Sequence, residues 1–128
     1  MPKELLQQQI ANLVLPVPPS VNAMYKRGFD NIYKTQAVNS FNDEVWVACY
    51  SAGIETPTVC PVILDIHFYP ANRQSDADNI LKSLLDALEG QAYRNDNQII
   101  DLRVRKHSVD KKHPRVEVLI YKLTNPFV

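Results

Sequence analysis

The sequence has almost no cysteine. Cys49 and Cys60 are the only two, in no metal-ligand spacing, which excludes a disulfide framework and a thiolate metal cluster and leaves reduced thiols as the expectation. No apolar run approaches the length of a membrane span, so no membrane segment is expected. The N-terminus lacks a charged region followed by an apolar run and a small-residue cleavage site; a cytoplasmic location is the expectation. There is no internal repeat, no low-complexity segment and no interdomain linker, so residues 1–128 read as one domain. Net charge is also missing, at +0 with 14 basic and 14 acidic residues, which argues against a strongly basic DNA-coating protein.

The charges that cancel overall are separated along the chain. From Arg103 to Arg115 there are six Lys or Arg and one Asp, and from Lys26 to Lys34 three basic residues face one Asp. From Asp76 to Asp96 the balance reverses, with five acidic residues against Lys82 and Arg94. Carboxylates for a metal beside cations for phosphates is what a metal-dependent nuclease needs. An ordinary solvated surface has the same look.

The acidic stretch carries most of the information. Leu81, Leu84, Leu85 and Leu88 recur at helical spacing and predict one buried helix face. Asp78, Lys82 and Asp86 step by four along another face, each about 40° from the last. Asp76 lies just ahead of this helix, Gly90 ends it as a C′ glycine, and Asn95-Asp96-Asn97 is a turn that brings Asp96 back towards it. Periodicity does not say which end of the helix Asp96 reaches. A plain structural reading exists: Asp78 as N-cap, Asp76 favoured by the helix dipole, Lys82 and Asp86 as a surface ion pair. Carboxylates at this density nonetheless suit a hard divalent cation such as Mg²⁺, with Lys82 one turn inside the helix to face a bound phosphate.

Elsewhere the pattern gives strands over Asn12–Pro16 and Ile32–Lys34, and a helix over 36–52 with Val38, Phe41 and Val45 inward. Residues 3–11 are polar and weakly periodic, and Ser20–Gly28 reads as a loop. Further strands are expected over Pro61–Tyr69, Ile99–Lys106 and Val116–Lys122. In the second of these, Ile100, Leu102 and Val104 alternate with Asp101, Arg103 and Arg105, giving one polar side. His67, His107 and His113 match no ligand motif. The sum is an α+β domain: a mixed sheet of four or five strands with two main helices packed on it. Tyr25, Lys26 and Arg27 set an aromatic beside two cations, a mixture that suits a phosphate backbone and an unstacked base. Arg73, Arg103, Arg105 and Lys106 complete the candidate nucleic-acid contacts.

The run Asp76-Ala77-Asp78-Asn79-x-x-Lys82, with Asp86-Ala87-Leu88 and then Asp96, Gln98 and Asp101, resembles the RusA-type Holliday junction resolvases of bacteria and their phages. The opening Leu15-Pro16-Val17-Pro18-Pro19-Ser20-Val21-Asn22 is similar to that family's L-P-x-P-P-S-x-N. The resemblance implies a Mg²⁺-dependent endonuclease that cuts four-way DNA junctions in recombination and repair. It implies Asp76, Asp78 and Asp96 as metal-binding carboxylates, Lys82 as catalytic lysine, and a symmetric homodimer with two sites. Asp86 is then a fourth ligand or a support for the others, and Asp101 structural. Two rivals are a metal-dependent phosphohydrolase or nucleotidyl transferase on small nucleotides, and a non-catalytic DNA-binding module with the aspartates as caps.

Overall fold

The computed structural model describes residues 6–20, 25–27, 32–34 and 36–124. Alternation of apolar and polar residues makes the strands. Val62, Leu64, Ile66 and Phe68 of β4 (Val62–Tyr69) are all buried, and so are Val116, Val118 and Ile120 of β6 (Arg115–Thr124). β1 (Leu6–Leu15) adds Ala11, Leu13 and Leu15 to the same side. The four-stranded sheet runs β1-β6-β4-β5, with β5 spanning Ile99–Lys106. β1 and β4 flank β6 antiparallel, whereas β5 is parallel to β4. Two helices, α1 (Gln36–Ser51) and α2 (Ala77–Leu88), supply the apolar layer over this side. The architecture is the expected α+β domain with a mixed sheet. A parallel pair needs a crossover, and α2 is that crossover between β4 and β5.

Several expected boundaries shift. The first strand starts at Leu6 rather than Asn12, because Gln7, Gln8 and Gln9 pair with Leu123, Lys122 and Tyr121 through backbone bonds that need no apolar pattern. Tyr25, Lys26 and Arg27, expected in a loop, form β2, antiparallel to β3 (Ile32–Lys34). Their side chains, and the turn signals at Gly28 and Asp30-Asn31, lie outside the described residues.

The helix α2 begins earlier and is rotated from expectation. Asp76, not Asp78, holds the N-cap position. The buried face is Ile80, Ser83, Leu84, Ala87 and Leu88, leaving Leu81 and Leu85 half-buried. Small residues at 83 and 87 let neighbouring chain come close. The Ser83 hydroxyl donates to the Pro19 carbonyl at 2.5 Å, which fastens the proline-rich segment after β1 to this helix. Gly90, with φ of 86°, takes the left-handed conformation that closes the helix, as expected.

The thiols are free. Cys49 is buried among the core residues, which pushes its pKa up to about 11, and Cys60 is half-buried. Among the described residues no helix is long and apolar enough to cross a membrane.

Candidate active site

The polar stripe of α2 opens onto a cleft of about 310 Å³ lined by Asp78, Leu81, Lys82, Leu85, Asp86 and Asp96. The stepping by four thus brings Asp78, Lys82 and Asp86 to one surface, and the returning turn adds Asp96. Lys82 Nζ lies 3.3 Å from Asp86 Oδ2, with the lysine side chain 59% exposed. Asp76 is exposed and is not among the residues lining the cleft. Its side chain makes no capping hydrogen bond, although it occupies the cap position. Capping therefore does not explain an aspartate there.

Asp96 reaches the C-terminal half of the helix. Its backbone N–H donates to Glu89 Oε2 at 2.9 Å. Burial raises the Asp96 pKa first, the Glu89 charge next, and Asp86 adds to the rise, while a hydrogen bond from the Tyr93 hydroxyl acts in the opposite sense. Tyr93 is fully buried, its hydroxyl donating to the Leu85 carbonyl at 3.0 Å. Burial and then the charges of Asp96, Glu89 and Asp86 raise its pKa strongly. Glu89 and Tyr93 are neighbours that the sequence reading left without a role. The spacing of Glu89 three residues after Asp86 was the available signal.

The turn holding Asp96 is built on Gln98. Asp96–Gln98 is one 3-10 turn with a reciprocal cap: Asn97 N–H donates to Asn95 Oδ1 at 2.9 Å, and Asn95 N–H to Gln98 Oε1 at 2.8 Å. Arg94 N–H also donates to Gln98 Oε1, at 2.9 Å. Gln98 Nε2 donates to the carbonyls of Thr58 and Cys60, both at 2.8 Å. One amide thereby holds the turn to the loop that precedes β4.

The cationic residues divide between places. Arg103 and Arg105 pair in register with Asp65 and His67 on the sheet side away from the helices. Arg103 is engaged by Asp101 at 2.9 Å. Lys106 Nζ donates to the carbonyl of Arg73 at 3.1 Å, joining the end of β5 to the loop before α2. Arg115 contacts Asp110 and Glu117 and stacks over Tyr69. His67 and His107, distant in sequence, face each other at 2.7 Å, because the parallel register pairs His67 with Arg105 and sets His107 two residues further along the same side.

Among the described residues no three His, Cys, Asp or Glu side chains gather closely enough to hold an ion by themselves. The donors in the cleft are carboxylate oxygens, however, and Mg²⁺ takes one or two carboxylates, keeps several waters and completes its shell with substrate phosphate. Burial first, and then the charges of Glu89 and Asp86, raise the pKa of Asp96. The donor set fits such a cation.

The family model for the endodeoxyribonuclease RusA matches residues 16–121. The chain is 29% identical over 116 residues to the crossover junction endodeoxyribonuclease RusA of Escherichia coli K12, covering 89% of this chain and 96% of that one. It is 28% identical over 116 residues to the enzyme of that name from Enterobacteria phage 82. To that of Enterobacteria phage HK97 it is 32% identical over 96 residues, 71% of this chain and 78% of the relative. An acidic cleft held on one helix and one turn, inside a match spanning most of the sequence, makes this chain a member of the RusA family of endodeoxyribonucleases.

Proposed function

We propose that the chain is a Mg²⁺-dependent, structure-selective endonuclease that resolves Holliday junctions by paired phosphodiester cleavage, serving DNA recombination and repair in the cytoplasm as a homodimer. The carrying observation is the convergence of Asp78, Lys82, Asp86 and Asp96 on one open cleft in a chain of this family. In this reading Asp76, Asp78 and Asp96 supply the carboxylates for the metal, and Asp86 and Glu89 crowd the site with further negative charge. A Mg²⁺ ion held by these carboxylates would supply charge neutralisation at the scissile phosphate and would lower the pKa of a water. Lys82 then faces the negative charge that grows on the phosphate oxygens or leaving group, a role that acts on the rate more than on affinity. Asp86 holds the lysine along the cleft at 3.3 Å.

The shallow, exposed setting of Lys82 suits a DNA strand laid across the surface and not a small nucleotide enclosed in a pocket. The missing cap bond at Asp76 speaks against aspartates kept only as caps. Tyr25, Lys26, Arg27, Arg73, Arg105 and Lys106 are the proposed contacts to branched DNA, with Arg103 joining them already matched by Asp101. Cleavage of a synthetic four-way junction and of a linear duplex, each with Mg²⁺ and with EDTA, tests the reading. Metal-dependent cutting of the junction alone is expected. Metal-independent cutting, or equal cutting of the linear duplex, refutes it.

A further inference from the structure

The three histidines match no ligand motif in the sequence, yet the fold brings two of them together. His67 Nδ1 faces His107 Nε2 at 2.7 Å, on the sheet side away from α2 and its cleft. The other nitrogen of His67, Nε2, lies 3.2 Å from Asp65 Oδ1. An ionised carboxylate only accepts, so the nitrogen facing it carries the ring proton. In the neutral ring Nδ1 is then bare, with its lone pair turned to His107. A ligating imidazole has this arrangement: one nitrogen for the ion, the other fixed by a carboxylate behind it.

His107 is held from its own side. Its backbone N–H donates to the Phe68 carbonyl at 2.8 Å, and its ring stacks on Tyr69 with centroids 4.4 Å apart and planes 7° from parallel. The cross-strand neighbours of His67 are Arg105 on β5 and Glu117 on β6. Glu117 is engaged by Arg115 at 2.7 Å, so it does not serve as a third ligand. Water reaches the pair, since the His67 side chain is 22% exposed.

The donors select the ion. Imidazole nitrogen suits Zn²⁺, Ni²⁺ and Cu²⁺, whereas Mg²⁺ keeps to oxygen. Tetrahedral Zn²⁺ with bonds of about 2.0–2.1 Å sets two nitrogens roughly 3.3 Å apart, so the rings need to part by only about 0.6 Å. His107 moves its ring proton from Nε2 to Nδ1 as the ion enters, and no proton is lost overall. Two protein nitrogens leave the remaining positions to water. We propose that His67 and His107, with Asp65 behind His67, form a binding site for a divalent transition cation of the Zn²⁺ class, separate from the acidic cleft. It joins β4 to the chain just after β5, and it stands whether or not the cleft cuts DNA.

Calorimetric titration with Zn²⁺ tests the site, on a Cys60→Ser protein and with millimolar-range Mg²⁺ present to occupy the cleft carboxylates. A single Zn²⁺ per chain should bind. His67→Gln and His107→Gln should each remove that binding, and Asp65→Ala should weaken it by roughly tenfold, the loss typical of a carboxylate behind a ligating histidine. His113→Gln should leave it unchanged. Thermal melts check that each variant is folded. Histidine-ring NMR gives an answer that needs no substitution at the pair: Zn²⁺ should shift the His67 and His107 rings together and spare His113. No uptake of Zn²⁺, uptake that survives both glutamine substitutions, or shifts confined to His113 overturns the site and leaves the pair a hydrogen-bonded clip between strands. None of these outcomes touches the nuclease reading, which is measured by cleavage.

Discussion

At the residue scale, the chemistry turns on a few charges whose roles separate by measurement. Lys82→Ala should lower single-turnover cleavage of a junction by at least about a hundredfold, the loss typical of one donor to developing charge. Junction affinity should change less than about threefold, because a group used in the transition state contributes little to ground-state binding. A loss of binding in proportion to rate would make Lys82 a plain phosphate contact. Stability should barely move, since the ion pair with Asp86 is solvent-exposed and such pairs contribute a few tenths of a kcal/mol. Asp96→Asn should be inactive and, in EDTA, more stable than wild type by on the order of 1 kcal/mol, or about 3 °C. Mg²⁺ should raise the wild-type melting temperature and raise the variant's less. The pH dependence has a definite sign. The folded-state pKa of Asp96 is raised by burial and by Glu89, so its ionised form costs stability at neutral pH. That cost shrinks as pH falls below the folded value, where the native protein takes up the proton before the unfolded chain does, and it is gone once both are protonated. The variant's advantage should therefore shrink on acidification, and a gap unchanged between about pH 7 and pH 4 would contradict it.

At the scale of elements, the turn after α2 sets Asp96 in place through Gln98. Gln98→Ala removes an amide that accepts two backbone N–H groups and donates to two carbonyls. A stability loss of roughly 2 kcal/mol is expected in urea melts, with cleavage reduced at saturating junction. Cleavage unchanged despite lower stability would reduce Gln98 to a structural staple. These elements were legible to different degrees. The strand Val62–Tyr69 was readable because every second residue in it, Val62, Leu64, Ile66 and Phe68, is buried. The stepping of Asp78, Lys82 and Asp86 also carried over, since helix geometry alone puts such residues on one surface. The leucines misled about rotation: Leu81 and Leu85 line the cleft, while Ser83 and Ala87 occupy the inside where small size admits close packing. Which end of α2 Asp96 reaches was beyond the pattern, because a turn's direction is set by its partners, here Glu89 and Gln98. The meeting of His67 with His107 depends on strand register and was equally invisible.

At the scale of the molecule, zero net charge conceals local fields. Junction binding should weaken with salt at a slope of about −0.9 per phosphate neutralised in log–log terms, and a flat dependence up to physiological ionic strength would remove the electrostatic footprint. Gel-shift affinities across a salt series supply the slope. The order of the strands has a further consequence, for synthesis. β6 is the last described strand along the chain and yet lies inside the sheet, bonded to β1 on one side and β4 on the other. A nascent chain that has emerged only as far as Pro114 holds β1 with no neighbour and β4 with one flank open. Its core lacks Val116, Val118 and Ile120. The sheet therefore closes only after nearly the whole described chain has left the ribosome, by joining residues about a hundred positions apart, a slow kind of contact to make. A message cut short before β6 yields an unfolded chain for proteolysis, not a smaller nuclease, so the cell is spared a partial enzyme with its acidic cleft already assembled.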